Sequence, residues 1–78
     1  MSAVVAGKRA VAEALRAGSA REVLVARGSR AGQGLRAVLE AAGQAGVRVR
    51  EVDRRDLDAL AADHRGVVAR LRAPARPS

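Results

Sequence analysis

The sequence predicts a small α/β domain, with helices layered on a substantially parallel sheet. Three observations predict it. Short runs rich in valine alternate with segments whose apolar residues recur every three or four positions. Glycines punctuate the handovers between them. The chain has 78 residues, enough for one thin core. The resulting order is strand, helix, strand, helix, strand, helix, strand, the pattern of layered α/β folds.

The elements follow in order. Val4-Val5 makes a short strand or a lead into Gly7. Lys8 to Ala17 reads as a helix, because Val11, Ala14 and Leu15 share one face and Gly18 follows as a stop. Glu22-Val23-Leu24-Val25-Ala26 is a compact run suited to a buried strand. Arg27 to Gly34 is a loop by its glycines and polar residues. Leu35, Val38, Leu39 and Ala42 mark a second helix that Gly46 stops, with Gly43 inside it at a cost of about 1 kcal/mol relative to alanine. Val47-Arg48-Val49-Arg50 alternates as a strand does and extends to Val52. Asp53 is placed to cap a third helix carrying Leu57, Leu60 and Ala61, with Asp56 in its first turn. Asp63 to Gly66 is a turn, and Val67 to Leu71 is the last strand. The domain is expected over 1–72, with 73–78 (Ala-Pro-Ala-Arg-Pro-Ser) as the start of a linker.

Composition removes several function classes. With no Cys there is no disulfide or thiolate metal site, and a single His argues against histidine-held zinc. The expectation is therefore no metal. No apolar run approaches the ~20 residues of a membrane span, and the first residues do not form a secretory signal. A cytoplasmic protein without membrane contact is expected. With no Phe, Trp or Tyr, the core must be Val, Leu and Ala.

The net charge of +7 favours polyanions, nucleic acid first. An Arg- and Ala-rich composition also follows from GC-rich coding, so the distribution says more than the total. Up to Arg36 the basic residues Lys8, Arg9, Arg16, Arg21, Arg27, Arg30 and Arg36 face only Glu13 and Glu22. Later basic residues are interleaved with carboxylates.

Three segments are candidate sites. Gly7-Lys8-Arg9 opens a helix, where free N–H groups attract anions and two cations add to the pull; the alternative is an ordinary glycine turn with solvated cations. Arg27, Ser29 and Arg30 lie in the next strand-to-helix loop, which lacks the Gly-Lys-Ser/Thr of a nucleotide-binding loop and serves either as a phosphate contact or as a plain connection. His64-Arg65-Gly66 holds the lone imidazole. No nucleophile accompanies it, so a turn residue or an RNA hydrogen bond is favoured over catalysis, with Asp63 as a local partner. Asp53, Asp56 and Asp58 are assigned to capping and surface charge. Without aromatics to stack on bases, RNA contact would rest on phosphate, 2′-hydroxyl and arginine.

Two of these segments carry a resemblance. Gly7, Arg9, Ala10, Val11, Glu13, Ala14 and Leu15 match one end, and His64, Gly66 and Val67 the other, of the substrate-binding domain that precedes SpoU-type RNA 2′-O-ribose methyltransferases. Arg65 stands where that family usually has Gln, and Arg9 where Asn or His is more frequent. The resemblance spans Val4 to Leu71. It implies a three-layer α/β/α sandwich like that of ribosomal proteins that bind kinked RNA, with a mixed, mostly parallel sheet of about four strands and three helices. It further implies an RNA-recognition module, for rRNA in the first instance, with RNA-binding residues Gly7, Lys8, Arg9, Arg27, Ser29, Arg30, His64, Arg65 and Gly66. No catalytic residue and no cofactor are expected in these 78 residues; S-adenosylmethionine belongs to a separate catalytic domain. The isolated domain is expected to be monomeric and the parent enzyme homodimeric. The alternative is a protein-interaction or scaffolding domain without RNA affinity.

Overall fold

The computed structural model describes residues 3–28 and 33–72. Strand β1 (Val4–Ala6) leads into helix α1 (Lys8–Arg16), β2 (Ala20–Ala26), α2 (Gln33–Ala45), β3 (Arg48–Val52), α3 (Arg54–Leu60) and β4 (Val67–Leu71). Every expected element is present. β2 begins two residues earlier than its apolar run, with a register shift between Ala20 and Glu22. The segment 73–78, expected to be a linker, lies outside the described residues, as does 29–32 of the second loop.

Helices α1 and α2 end alike. The Ser19 N–H reaches back to the Ala14 carbonyl at 3.0 Å and the Gly18 N–H to Leu15 at 3.2 Å. At the second terminus Val47 bonds to Ala42 at 2.9 Å and Gly46 to Gly43 at 3.3 Å. Both are Schellman stops, closing the orphan carbonyls and turning the chain into the next strand. The glycine signals at 18 and 46 therefore mark the true ends.

Alternating residues build two cores on opposite faces of the sheet. Val23 and Val25 of β2 and Val67 and Ala69 of β4 pack under Val11, Ala14 and Leu15 of α1 and Leu35, Val38 and Ala42 of α2. On the other face Leu24, Ala26 and Val68 meet Leu57 of α3. The result is the expected three-layer α/β/α sandwich.

The sheet order is β1-β4-β2-β3. The sheet is mixed, but the expectation that it is mostly parallel is corrected: β4 runs antiparallel to both β1 and β2, and only β2–β3 is parallel. The reason is the length of α3. Its seven residues span about 10 Å, the distance of two strand spacings. The helix is used up in stepping sideways over β2, so β4 must start at the edge where β3 ended and run back. It fills the gap between β1 and β2, giving a split β-α-β unit.

Candidate nucleic-acid interface

Because β1, β2 and β3 point one way and β4 the other, the ends of three strands and the start of the fourth share one edge. Three backbone hydrogen bonds fasten it. The Gly7 N–H donates to the Val67 carbonyl at 3.1 Å, the Ala26 N–H to Gly66 at 2.9 Å, and the Arg27 N–H to Val52 at 2.9 Å. Gly7-Lys8-Arg9 and His64-Arg65-Gly66, 55 positions apart in the chain between Arg9 and His64, thus become neighbours, with Arg27 on the same rim. Ser29 and Arg30 lie outside the described residues.

Gly7 makes the turn from β1 into α1 at φ 94° and ψ 150°, a backbone region essentially reserved for glycine. Its carbonyl accepts the first helical bond, from the Val11 N–H at 3.0 Å. The N–H groups of Lys8, Arg9 and Ala10 precede that bond and have no partner within the helix. No side chain caps this end, and no acidic residue stands in the first turn. The positive end of the α1 dipole is left unneutralised, with two exposed cations beside it. Lys8 and Arg9 also line an open groove of about 480 Å3 along α1, with Ala12, Glu13, Arg16 and Ala37.

A Cβ added at Gly7 would meet nothing within 4 Å, so Gly7→Ala isolates the backbone cost. The expected loss is about 2 kcal/mol, read from urea unfolding. A loss near zero would mean that the turn readily takes another shape.

His64 is only 3% exposed. Its Nδ1 accepts the Gly66 N–H at 2.9 Å, which puts the ring proton on Nε2, and Nε2 lies 2.5 Å from Asp58 Oδ1. The His64 carbonyl accepts the Val67 N–H at 3.0 Å. Both ring nitrogens are thus engaged inside the domain: the imidazole ties α3 to the 64–67 turn. Its carboxylate partner is Asp58 and not the adjacent Asp63, which lies 3.8 Å from Arg65 with both side chains solvated. Asp58, assigned to surface charge from sequence, is the functional neighbour that sequence reasoning missed; a six-residue separation across a helix end carries no periodic signal.

Arg65 is held at φ 52°, a left-handed conformation that costs a residue with a Cβ about 1 kcal/mol. The Gly66 N–H bond to His64 and the Gly66 carbonyl bond to Ala26 enforce it, leaving the guanidinium exposed on the rim. Arg27 reaches Asp53 at 3.5 Å across the same rim. Asp53 occupies the N-cap position of α3 as expected, but its side chain makes no capping bond. Solvent screening keeps the Arg27–Asp53 pair weak, so Arg27 remains available to another anion.

Among the described residues no group of three metal-ligating side chains occurs, and no helix is long and apolar enough to cross a membrane. The grooves beside α1 are open troughs.

Over residues 4–77 the sequence matches the family described as RNA 2′-O ribose methyltransferase substrate binding, and the chain belongs to that SpoU substrate-binding family. No curated protein sequence matches the chain. Among solved structures, a Bacillus halodurans C protein of unknown function is similar at TM-score 0.70 and 25% identity, covering 90% of this chain and 72% of that one. The archaeal translation termination factor aRF1 is similar at TM-score 0.61 and 24% identity, over 90% of this chain and 20% of the factor. The S. cerevisiae translation termination-like factor Dom34 is similar at TM-score 0.63 and 15% identity, over 95% of this chain and 23% of that one. These two likenesses concern the fold, and the chain spans about a fifth of each factor's length.

Proposed function

We propose that this domain recognises structured RNA, with rRNA as its target, on behalf of an S-adenosylmethionine-dependent RNA 2′-O-ribose methyltransferase. The catalytic domain and the methyl donor lie outside these residues; the domain itself is monomeric, cytoplasmic and without metal, in a homodimeric parent enzyme. One observation carries the reading. The two segments that match the family meet at one edge of the sheet, where an uncapped helix N-terminus, Lys8, Arg9, Arg27 and Arg65 face solvent together.

The roles divide by chemistry. The α1 amides and Lys8-Arg9 hold phosphate. Arg27 and Arg65 take neighbouring phosphates or stack on an exposed base. Gly7, His64 and Gly66 position these groups, since their own polar atoms are occupied within the fold. Ser29 and Arg30 extend the contact along the β2–α2 loop.

Amide resonances followed during titration with structured rRNA fragments test this. Shifts are expected at 7–11, 27–30 and 64–66, weakening steeply with salt, and smaller shifts with a tRNA of equal length. An absence of shifts at low salt, with self-association in sedimentation, would replace this reading with a protein-interaction domain.

A further inference from the structure

Among the described residues, α3 covers only part of its face of the sheet. Helix α3 extends about 10 Å, whereas the seven residues of β2 extend about 23 Å. Leu57 seals Leu24, Ala26 and Val68 near the RNA edge. On the same face, farther down the strands, alternation brings together Glu22 of β2, Arg48 and Arg50 of β3, and Arg70 of β4. Glu22 stands opposite both Arg48 and Arg70 in register.

Glu22 organises this cluster without neutralising it. Its Oε2 accepts from Arg50 Nη1 at 3.3 Å, and its Oε1 lies 3.9 Å from Arg70 Nε. Arg50 and Arg70 share this one carboxylate, and with Arg48 beside it in register the cluster carries two positive charges in excess. Arg70 Nε is closed off from solvent without a hydrogen-bond acceptor, although 44% of the side chain is exposed. Arg48 makes no ion pair with a described residue and is exposed. Residues two apart on β3 present their side chains about 7 Å apart, a step that suits successive phosphates of one strand. Leu24, opposite Arg50, is already sealed by Leu57, and Val4, opposite Arg70, is half-buried, so the described residues leave little apolar surface for the centre of a protein–protein interface.

We infer that this part of the sheet, formed by Arg48, Arg50 and Arg70 around Glu22, is a second RNA-backbone site, separate from the edge that carries Lys8 and Arg9. It lies about 13 Å down β2 from Ala26 and adds phosphate contacts without reading bases. The inference rests on the RNA-binding reading, and the experiment separates the two.

Binding of a fluorescein-labelled rRNA stem–loop is measured across a salt series for the unaltered chain, Arg48→Gln/Arg50→Gln, Lys8→Gln/Arg9→Gln, and Glu22→Gln. The sheet pair is expected to flatten the slope of log K against log salt by about 1.4–1.8, for two phosphates lost, with unchanged thermal unfolding. Glu22→Gln is expected to tighten binding several-fold, a gain that misfolding cannot produce. An unchanged slope in the sheet pair, where the edge pair flattens it, overturns this site and leaves the edge reading standing. RNA binding by neither site overturns both. Polyaspartate captured through Arg48 and Arg50 in preference to RNA would make the face an acidic-protein surface and overturn the inference.

Discussion

His64→Ala is expected to lower the stability of the domain by about 3 kcal/mol and to weaken RNA binding without removing any group that touches RNA. The substitution leaves the Gly66 N–H without its acceptor, at about 1–3 kcal/mol for a buried group. It also deletes a buried ring and removes the bond between Asp58 and Nε2. For a chain of this length the total stability is roughly 4–12 kcal/mol, and an aliphatic core without aromatics places it toward the lower end. The loss is therefore a large share of the whole. Urea unfolding measures it, and amide resonances locate it: changes should concentrate at Gly66 and Val67, at Gly7 and Ala26 across the edge, and at Asp58 on α3. A loss under ~0.5 kcal/mol would show that His64 does not hold the turn. With the turn released by the loss of His64, Arg65 is expected to explore conformations other than φ 52° and the affinity for an rRNA stem–loop to fall several-fold.

Leu57→Ala is expected to cost about 3 kcal/mol, within the range for buried leucine truncation. Leu57 is fully buried and is the only buried residue of α3. Its buried partners in the second core are Leu24, Ala26 and Val68, with Val4, Ala6, Val52, Leu60 and Ala61 packed around them, and no other side chain of α3 is buried to take its place. The consequence extends beyond packing, because Asp58 follows Leu57 directly and can reach His64 only while α3 is seated. Leu57→Ala and His64→Ala should therefore be less than additive, with a coupling measurable by a double-mutant cycle. Hydrogen exchange should speed up in α3 and the 64–67 turn before it does in α1. Strict additivity would mean that α3 and the turn are independent, and Leu57→Met should cost less than ~1.5 kcal/mol.

Both effects depend on contacts that differ in how far the sequence reveals them. The elements were readable because each is written locally: Val11, Ala14 and Leu15 at helical spacing, Val23 to Ala26 as a β-branched run, Gly18 and Gly46 at the Schellman stops. The turn at Gly7 into α1 was readable for the same reason, while its spacing left both an anion site and an ordinary glycine turn open. Strand direction was not. Alternation of strands and helices suggests parallel crossovers, but whether a crossover spans the sheet's length or only its width depends on helix length against strand spacing. At seven residues, α3 manages only the width.

The paired segments near the two ends sharpen that division. Their residue types and the excess of positive charge are properties of the chain alone, as is an α/β domain of Val, Leu and Ala with no thiol chemistry. Only the tertiary structure decided that the segments form one edge, that His64 serves the fold through Asp58 and Gly66, and that Glu22 gathers arginines from two other strands. The physical reason is range. Propensity, periodicity and capping act within about four residues, whereas a hydrogen bond between Gly7 and Val67, or an ion pair between Arg50 and Glu22, exists only after the sheet has set its order and register.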